Sequence, residues 1–301
     1  MTPPPVTADW IATDWGTSHL RVWAMSGRSH VAQAQSDQGM ARLAPGGFEA
    51  ALLALVAPWL GVGTTRVVAC GMVGARQGWV EAPYSAVPCA PLPKPPVRAD
   101  ATDPRLAVWV VPGLKQAAPA DVMRGEETQI AGFLALNTGF DGVLCLPGTH
   151  TKWAQVSAGE VVSFQSFMTG ELFATLAAHS VLRHSVSPDG WDDDAFADAL
   201  DDALSRPERL AARLFTLRAD ALLNAADGRA ARARLSGLLI GAELAAARPY
   251  WLGQPVAVIG EGAIAAPYVT ALSRQGTAPV QADAGAMTRA GLIAAYRQIA
   301  P

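Results

Sequence analysis

The chain has 301 residues, of which 50% are hydrophobic and 16% are charged, and its formal net charge is −3 at pH 7. This composition excludes an intrinsically disordered chain, because enough apolar surface is available to offset the entropy of ordering. Basic residues are scattered, so we expect no nucleic-acid partner. The one tight basic cluster, Arg229, Arg232 and Arg234, is interpreted as a solvated helix face. The length predicts two domains.

The sequence favours the cytoplasm. Its three cysteines, Cys70, Cys89 and Cys145, form a sparse, odd-numbered set that is typical of a reducing compartment. Residues 1–7 are proline-rich and lack the basic and apolar regions of a signal peptide. The longest apolar run, residues 50–62, is too short to cross a bilayer, so we expect no membrane partner. A homo-oligomer is left open.

The order of predicted elements indicates an α/β protein with mixed sheets. Predicted strands cover residues 10–14, 20–25, 31–35, 66–70, 106–111, 143–146, 151–156, 161–164 and 256–259, with a short strand closing at 281. Predicted helices cover 48–57, 126–136, 170–182, most of 191–226, 235–247, a segment ending at 272, and 287–299. Residues 71–104, rich in glycine and proline, are predicted to form a long functional loop.

Each half of the chain contains a strand, a glycine-containing hairpin, a second strand and then helices. The first half carries Asp14-Trp15-Gly16-Thr17-Ser18. A hairpin with glycine can present several backbone N–H groups to one anion, and the hydroxyls of Thr17 and Ser18 add donors. A carboxylate at the strand end, Asp14, could hold Mg²⁺ directly or through water. An ordinary turn explains the same residues.

The second half repeats the Gly-Thr turn as Gly148-Thr149-His150-Thr151-Lys152. Lys152 is a candidate cationic partner for phosphate or carboxylate. His150 is a candidate hydrogen-bond donor to a substrate, although a histidine in a turn is more often simply solvated. An exposed turn lysine is the common alternative for Lys152. Two such hairpins, one in each half, favour phosphate binding more than either does alone.

Two further motifs lie at predicted helix starts. Arg124-Gly125-Glu126-Glu127-Thr128-Gln129 places two carboxylates where one could accept the proton of an attacking hydroxyl. Acidic residues also favour the first turn of a helix through its dipole, so one of the pair is expected to do only that. Gly260-Glu261-Gly262 follows a strand, and small residues there would let an adenine ring approach the backbone. A plain strand-to-helix turn is the alternative.

The long loop offers candidate substrate contacts. Arg76, in the run Gly71-Met72-Val73-Gly74-Ala75-Arg76-Gln77-Gly78-Trp79, is suited to bidentate recognition of a carboxylate. Trp79 and Tyr84 could supply an apolar wall with a polar tip. Alternatively, these aromatic residues only hold a surface loop in place.

The order of these motifs resembles that of the actin-like ATPase superfamily, with its two phosphate hairpins, acidic helix start and adenosine motif. More closely, the chain resembles the 2-dehydro-3-deoxygalactonokinase family. The matching stretches are spread over most of the chain and cover residues 12–18, 71–84, 124–132, 144–153, 164–173 and 235–244. The strings Gly-Thr-His-Thr-Lys and Arg-Gly-Glu-Glu-Thr-Gln are the more specific ones.

The resemblance implies a two-domain, ribonuclease H-like fold of the actin type, with mixed sheets and an interdomain cleft that closes on the substrate. We expect a first domain, residues 1–112, with the first hairpin and the substrate loop. A second domain, residues 113–301, would carry the second hairpin and the adenosine motif. The implied reaction is ATP-dependent phosphorylation of 2-dehydro-3-deoxy-D-galactonate at its 6-hydroxyl, within galactonate catabolism.

The hypothesis assigns ATP and Mg²⁺ as cofactors and a small sugar acid as substrate. Asp14 positions Mg²⁺, Glu126 is the first choice for the general base, and Glu127 is its alternative. The remaining roles are phosphate binding by Gly16, Thr17, Ser18, Gly148, Thr149 and Lys152, adenosine binding by Gly260 and Gly262, and substrate binding by Arg76, Trp79, Tyr84 and His150. Two alternatives stay open: an exopolyphosphatase-like phosphohydrolase and a non-catalytic nucleotide-dependent interaction protein.

Overall fold

The computed structural model describes residues 6–300 and divides them into two compact units. The first unit comprises residues 6–140, 157–163 and 284–300, and the second comprises 141–156 and 164–283. The predicted boundary at residue 112 differs from this division. The segment after residue 112 pairs with a strand of the first unit, and the helix that follows it packs against the last helix of the chain, which belongs to the same unit.

In the first part of the chain, strands predominate. Its elements are β1 (Trp10–Trp15), β2 (Leu20–Ser26), β3 (Ser29–Ser36), α1 (Phe48–Val56), β4 (Thr65–Gly71), β5 (Ser85–Ala86), β6 (Val97–Ala99), β7 (Leu106–Val110), β8 (Leu114–Gln116), β9 (Asp121–Met123) and α2 (Glu126–Leu136). The predicted strands and helices of this part are confirmed. The strands β5, β6, β8 and β9 were not predicted, because two or three residues are too few to show a periodic pattern.

In the rest of the chain, helices predominate. Its elements are β10 (Gly142–Leu146), β11 (Thr151–Ser157), β12 (Glu160–Phe167), α3 (Thr169–His179), α4 (Asp193–Ser205), α5 (Leu210–Leu223), α6 (Gly228–Ala246), α7 (Arg248–Trp251), β13 (Val256–Gly260), α8 (Gly262–Arg274), β14 (Val280–Asp283) and α9 (Ala284–Arg297). The helix predicted from residue 235 begins earlier, at Gly228, where the side chain of Asp227 accepts a hydrogen bond from the Arg229 N–H and caps it. No helix in residues 6–300 is long and apolar enough to cross a membrane.

The two larger sheets share one plan. Their strand orders are β3-β2-β1-β4-β7-β6 and β12-β11-β10-β13-β14. In the first, the antiparallel hairpin β1–β2 continues into the parallel pairs β1–β4 and β4–β7. In the second, the antiparallel hairpin β10–β11 continues into the parallel pairs β10–β13 and β13–β14. The prediction of an α/β fold with mixed sheets and a Gly-Thr hairpin in each half is confirmed.

Strand β1 is covered on both faces, and the alternation of its side chains shows to which face Asp14, near its end, belongs. Ile11 and Trp15 lie in the cluster that contains residues of α1, whereas Trp10 and Ala12 lie in the cluster that contains residues of α9. Because side chains alternate along a strand, Asp14 belongs to the face of Trp10 and Ala12. Helix α2 packs against α9. The start of α2 and the end of β1 therefore meet on the same side of the first sheet.

Helix α6 is the central helix of the second unit. It packs against α4 and α5 on one side and contributes Ile240 and Leu244 to the core that covers the second sheet. Val143, Trp153 and Tyr268 belong to the same core, from β10, β11 and α8. One helix thus links the second sheet to the helical layer, and its residues can reach a site at the hairpin end of that sheet.

Candidate active site

The first Gly-Thr hairpin joins β1 to β2 and exposes its tip. Thr17 and Ser18 are exposed, and Gly16 is partly exposed. The carbonyl oxygens of these three residues accept hydrogen bonds from the backbone N–H groups of residues 39–41, at 3.0 to 3.3 Å. The hairpin is therefore held from its carbonyl side, and the hydroxyls at its tip face solvent.

Asp14 lies at the base of this hairpin and forms an ion pair with Arg21. Its Oδ2 is 2.9 Å from Nη2 of Arg21, and the two side chains are 14% and 32% exposed. Beneath it, Sγ of Cys70 is 3.9 Å from Oδ1 of Asp14. Burial raises the pKa of the Cys70 thiol well above its usual value, and the charges of Asp14 and Glu127 add to this, so the sulfur keeps its proton and can donate it to the carboxylate.

The two glutamates at the start of α2 have different surroundings. Glu127 is 0% exposed, and its carboxyl oxygens accept hydrogen bonds from the Gly125 N–H at 2.7 Å and the Thr128 hydroxyl at 2.9 Å. Burial raises the pKa of Glu127 to about 8, and the charge of Glu126 contributes to the same shift. Glu126 is partly exposed, and its Oε2 accepts a hydrogen bond from the Arg124 N–H at 3.1 Å. Of the pair, Glu126 is the one that solvent reaches.

Gly71 permits the approach of α2 to the strand ends. It has φ of +90°, and a Cβ built on it would lie 2.5 Å from the carbonyl oxygen of Trp15, so no other residue fits without a shift. A Cβ built on Gly125 would lie 3.4 Å from the Cα of Gly71. The ends of β1 and β4 and the first turn of α2 thereby place Asp14 and the two glutamates in one region of the first unit.

The predicted substrate residues of the long loop have different surroundings, since Trp79 is packed and Arg76 is exposed. The ring of Trp79 packs against Trp15 and Phe48, and its Nε1 donates to the carbonyl oxygen of Asp100 at 2.8 Å. This is the packing of a residue that anchors the loop, which was the alternative interpretation for Trp79. Arg76 lies on the exposed part of the loop.

Tyr84 has a cationic neighbour that sequence reasoning did not single out. The guanidinium carbon of Arg124 lies 4.3 Å from the centre of the Tyr84 ring. Nη2 of Arg124 donates to the Ala82 carbonyl oxygen at 2.7 Å. Its Nε and Nη1 are buried and have no hydrogen-bond partner within residues 6–300. Buried guanidinium N–H groups without an acceptor are costly, so this arginine is suited to receive one from a ligand.

The second hairpin joins β10 to β11. Thr149 and His150 are exposed, and Gly148 is partly exposed. Nε2 of His150 lies 2.5 Å from Oε2 of Glu171, so the imidazole is held by a carboxylate. Lys152 is only 5% exposed, and its Nζ lies 3.4 Å from the His150 carbonyl oxygen. A buried ammonium at the base of the hairpin differs from the exposed turn lysine that was the alternative.

Helix α3 begins directly against this hairpin. A Cβ built on Gly170 would lie 2.2 Å from the carbonyl oxygen of Gly148, so this contact requires glycine. The Glu171 N–H donates to the carbonyl oxygen of Thr149 at 2.9 Å. The N-terminus of a helix favours anions, and the N-terminus of α3 adjoins the Gly-Thr turn.

A cavity of about 360 Å³ opens beside the hairpin, within the second unit. It is lined by Gly148, Thr149, Thr169, Gly170, Phe173, Trp191, Arg232, Ser236, Leu239, Ile240, Ala263, Ile264, Pro267 and Tyr268. The lining is mostly apolar, with a few polar groups, as is typical of a small-molecule site. Gly260 and Gly262 do not themselves line it, but the next residues of α8 do.

Sequence reasoning missed most of this lining. Phe173, Trp191 and Arg232 come from segments far apart in the chain, and only the fold brings them together. The guanidinium of Arg232 lies 4.9 Å from the centre of the Phe173 ring. One signal was present: Arg232 and Ser236, spaced four residues apart, are polar residues on one face of a mostly apolar helix.

The fold is that of the actin-like ATPases and sugar kinases. A solved structure that shares this fold is the activator of 2-hydroxyisocaproyl-CoA dehydratase from Clostridium difficile with bound ADPNP. It has a TM-score of 0.52 at 12% identity and covers 96% of this chain and 94% of its own. At this identity the likeness concerns the fold alone.

The chain belongs to the 2-keto-3-deoxy-galactonokinase family, whose model matches residues 14–295. It is 39% identical over 300 residues to a Rhizobium meliloti (strain 1021) protein described as a 2-dehydro-3-deoxygalactonokinase, covering 97% of this chain and 98% of that protein. It is 38% identical over 247 residues to the Escherichia coli (strain K12) 2-dehydro-3-deoxygalactonokinase, covering 81% and 82%. A crystal structure of a Sinorhizobium meliloti protein described in the same way has a TM-score of 0.89, 37% identity and 97% coverage of both chains. The predicted family and the prediction of a kinase are confirmed.

Proposed function

We propose that this chain transfers the terminal phosphoryl group of ATP to the 6-hydroxyl of 2-dehydro-3-deoxy-D-galactonate. The observation that carries the proposal is the meeting of Asp14, the first Gly-Thr hairpin and the partly exposed Glu126 in one region of the first unit. Phosphoryl transfer needs mainly an anion cradle, a metal ligand and a group that positions the acceptor, and this region offers a candidate for each of the three.

Glu126 is the proposed general base, and Glu127 is the alternative. A base must reach the acceptor hydroxyl, and solvent reaches the Glu126 carboxylate. Glu127 is enclosed, and both of its carboxyl oxygens accept hydrogen bonds from its own helix start. Its surroundings support a structural role, in which it fixes the backbone at the start of α2.

Asp14 is the proposed holder of Mg²⁺. The ion is a hard cation that is usually bound through one or two carboxylates together with phosphate oxygens and water, and a partly exposed carboxylate beside an exposed hairpin fits that chemistry. When bound, the ion would neutralise charge on the phosphate oxygens. Arg21, at 2.9 Å from Asp14, holds the carboxylate in place.

The cavity of the second unit is the proposed nucleotide site. Gly148 and Thr149 would contact phosphate in this cavity. Gly16, Thr17 and Ser18 remain the proposed phosphate contacts of the first unit. Lys152, at the base of the second hairpin, would contribute positive charge. The apolar wall beyond the hairpin would receive the adenine ring. Gly260 and Gly262 would contribute by shaping the turn into α8, whose first turn lines the cavity.

Arg76, Trp79 and Tyr84, three of the proposed substrate contacts, lie in the long loop of the first unit. Arg76 is the proposed clamp for the substrate carboxylate, because it is exposed on that loop. Arg124 is a second candidate, because two of its nitrogens have no acceptor in the described part of the chain. Tyr84 would present its ring edge. His150 could donate a hydrogen bond to the substrate only if its contact with Glu171 were broken. Trp79 is partly exposed, and only the exposed part of its ring could form the proposed apolar wall of the substrate site.

A coupled ADP-release assay with Mg-ATP tests the proposal, with 2-dehydro-3-deoxy-galactonate, its gluconate epimer or no acceptor. We expect strong stimulation by the galactonate compound and a phosphomonoester at C6 by ³¹P NMR. If neither acid stimulated ADP release, the proposed substrate would be wrong. Phosphate release from polyphosphate without any acceptor would instead support the exopolyphosphatase-like alternative. We further propose the cytoplasm as its location, because ATP is available there.

The nucleotide site has a test of its own. Ile264 lines the cavity and is 49% exposed, so Ile264→Trp should fill the cavity at little cost to folding. We expect this variant to lose most Mg-ADP binding in isothermal titration calorimetry while its melting temperature stays close to that of the wild type. Binding at wild-type affinity would mean that the nucleotide lies elsewhere.

A further inference from the structure

A buried carboxyl group lies behind the cavity wall of the second unit. Glu243, on α6, is 3% exposed. Its Oε1 accepts a hydrogen bond from Nε1 of Trp153 at 2.8 Å, and its Oε2 accepts one from the Tyr268 hydroxyl at 2.8 Å. The hydroxyls of Thr169 and Thr151 also hydrogen-bond to it. A buried carboxyl group is costly unless it is well satisfied, and donors from three other elements satisfy this one.

The direction of most of these hydrogen bonds is fixed by what each group can do. The indole Nε1–H of Trp153 can only donate. The hydroxyl of Tyr268 has one hydrogen and gives it to Glu243. The single hydrogen of the Thr151 hydroxyl, which lies 2.7 Å from the Tyr268 oxygen, can go to that oxygen or to the Glu243 carboxyl group. The result is a network in which Tyr268, Trp153 and Thr169 donate to the Glu243 carboxyl group and Thr151 donates to Tyr268 or to Glu243.

Two members of this network form part of the cavity wall. Thr169 and Tyr268 line the cavity, whereas Glu243, Thr151 and Trp153 do not. Thr169 precedes Gly170, whose contact with the second hairpin is described above. Thr151 is the first residue of β11, directly after that hairpin. The carboxyl group therefore joins the start of α3, the start of β11, α6 and α8, which are elements that surround one side of the cavity.

We propose that Glu243 is a positioning residue of the nucleotide site: its carboxyl group orients the hydroxyls of Thr169 and Tyr268 and holds the start of α3 against the second hairpin, and so sets nucleotide affinity without touching the nucleotide. This inference rests on the proposed function, which places the nucleotide in this cavity. Burial raises the pKa of Glu243 to about 7, which agrees with a carboxyl group kept from solvent by its partners.

Glu243→Gln tests the inference because it keeps the shape of the side chain and changes the donor pattern. One carboxyl oxygen becomes an NH₂ group that can only donate, so the donors that share the two oxygens of Glu243 are left with a single acceptor oxygen. We expect the Kd for Mg-ADP and the KM for ATP to rise about tenfold. The KM for the sugar acid and the melting temperature should change little.

Leu244→Ala is the matched control. Leu244 is the next residue of α6, is 0% exposed and lies outside the network. The substitution should lower the melting temperature and leave the Kd for Mg-ADP near the wild-type value. An equal rise of Kd in both variants would mean that any core damage weakens binding, and it would overturn the inference.

Comparison of Glu243→Gln with Ile264→Trp separates this inference from the proposed function. If Ile264→Trp abolishes Mg-ADP binding and Glu243→Gln binds like the wild type, the nucleotide site stands and the positioning role of Glu243 is overturned. If Ile264→Trp binds normally, the nucleotide site and the inference fall together. Should Glu243→Gln not fold, Thr151→Val removes a donor of the same network at a residue that does not line the cavity. It should raise the Kd several-fold, and wild-type affinity would overturn the inference.

Discussion

Glu126 and Glu127 are neighbours in the chain, yet the carboxyl group of Glu127 is fully enclosed and bonded to its own helix start, whereas that of Glu126 reaches solvent. A carboxylate that removes a proton from a substrate must meet that substrate. The difference in enclosure therefore divides the pair into a candidate base and a structural residue, which the sequence alone does not do.

Glu126→Gln should lower kcat by about 10²- to 10⁴-fold, which is the usual contribution of a general base, while both KM values change little. Steady-state kinetics in the coupled ADP-release assay measure this. Glu127→Gln, carried through the same assay and matched in chemistry, should lose less activity. A near-normal kcat for Glu126→Gln would reject Glu126 as the base.

Glu127 should make the protein less stable as the pH rises. The pKa of its carboxyl group is raised from 4.5 to about 8 in the folded protein, so folding favours the protonated form. Its contribution to stability is full below about pH 4.5 and is lost as the pH rises through about 8. Urea unfolding at pH 5.5 and pH 8 should show a smaller pH dependence for Glu127→Gln than for the wild type. An identical pH dependence would contradict the raised pKa.

Arg76→Ala should raise the KM for the sugar acid by about 10- to 100-fold, as expected for the loss of a charge-assisted hydrogen bond, and leave the KM for ATP unchanged. Arg28→Ala, an exposed arginine in the turn between β2 and β3, is the control and should change neither KM value. If both KM values rise together in Arg76→Ala, Arg76 is not a dedicated carboxylate clamp. Unchanged kinetics would favour Arg124, which is tested in the same way with Arg124→Lys.

Asp14→Asn should increase the Mg²⁺ concentration needed for half-maximal activity, because a neutral amide binds this ion less well than a carboxylate does. The measurement is a Mg²⁺ titration of the rate at saturating ATP and sugar acid. Asp9→Asn is a suitable control, since Asp9 is also close to β1 but bonds to the exposed turn after β2. A wild-type Mg²⁺ dependence for Asp14→Asn would exclude Asp14 as the metal ligand.

Much of the fold follows from local sequence patterns. Each Gly-Thr hairpin is flanked by strands long enough to show their composition, and the helices carry clear apolar spacing. The strands β5, β6, β8 and β9 are too short for any pattern to mark them. The division into two units depends on the long-range packing of α2 and α9, which no local pattern contains.

The site was predictable where a contiguous motif forms it. Both hairpins and the acidic start of α2 were found in this way. The cavity wall was not, because Phe173, Trp191 and Arg232 come together only after α3, α4 and α6 have packed. Burial was equally invisible: Lys152 and Trp79 are compatible with exposed turns in the sequence, whereas the structure encloses the first and packs the second against Trp15.

The packing of α9 on the first sheet has a consequence for biosynthesis. Leu292 and Ala295 cover the face of the sheet that carries Trp10 and Ala12 from the first strand, and the whole second unit lies between these segments in the chain. That apolar face of the nascent sheet cannot be covered until the ribosome has made α9. The first unit is thus completed only after the second unit has been synthesised.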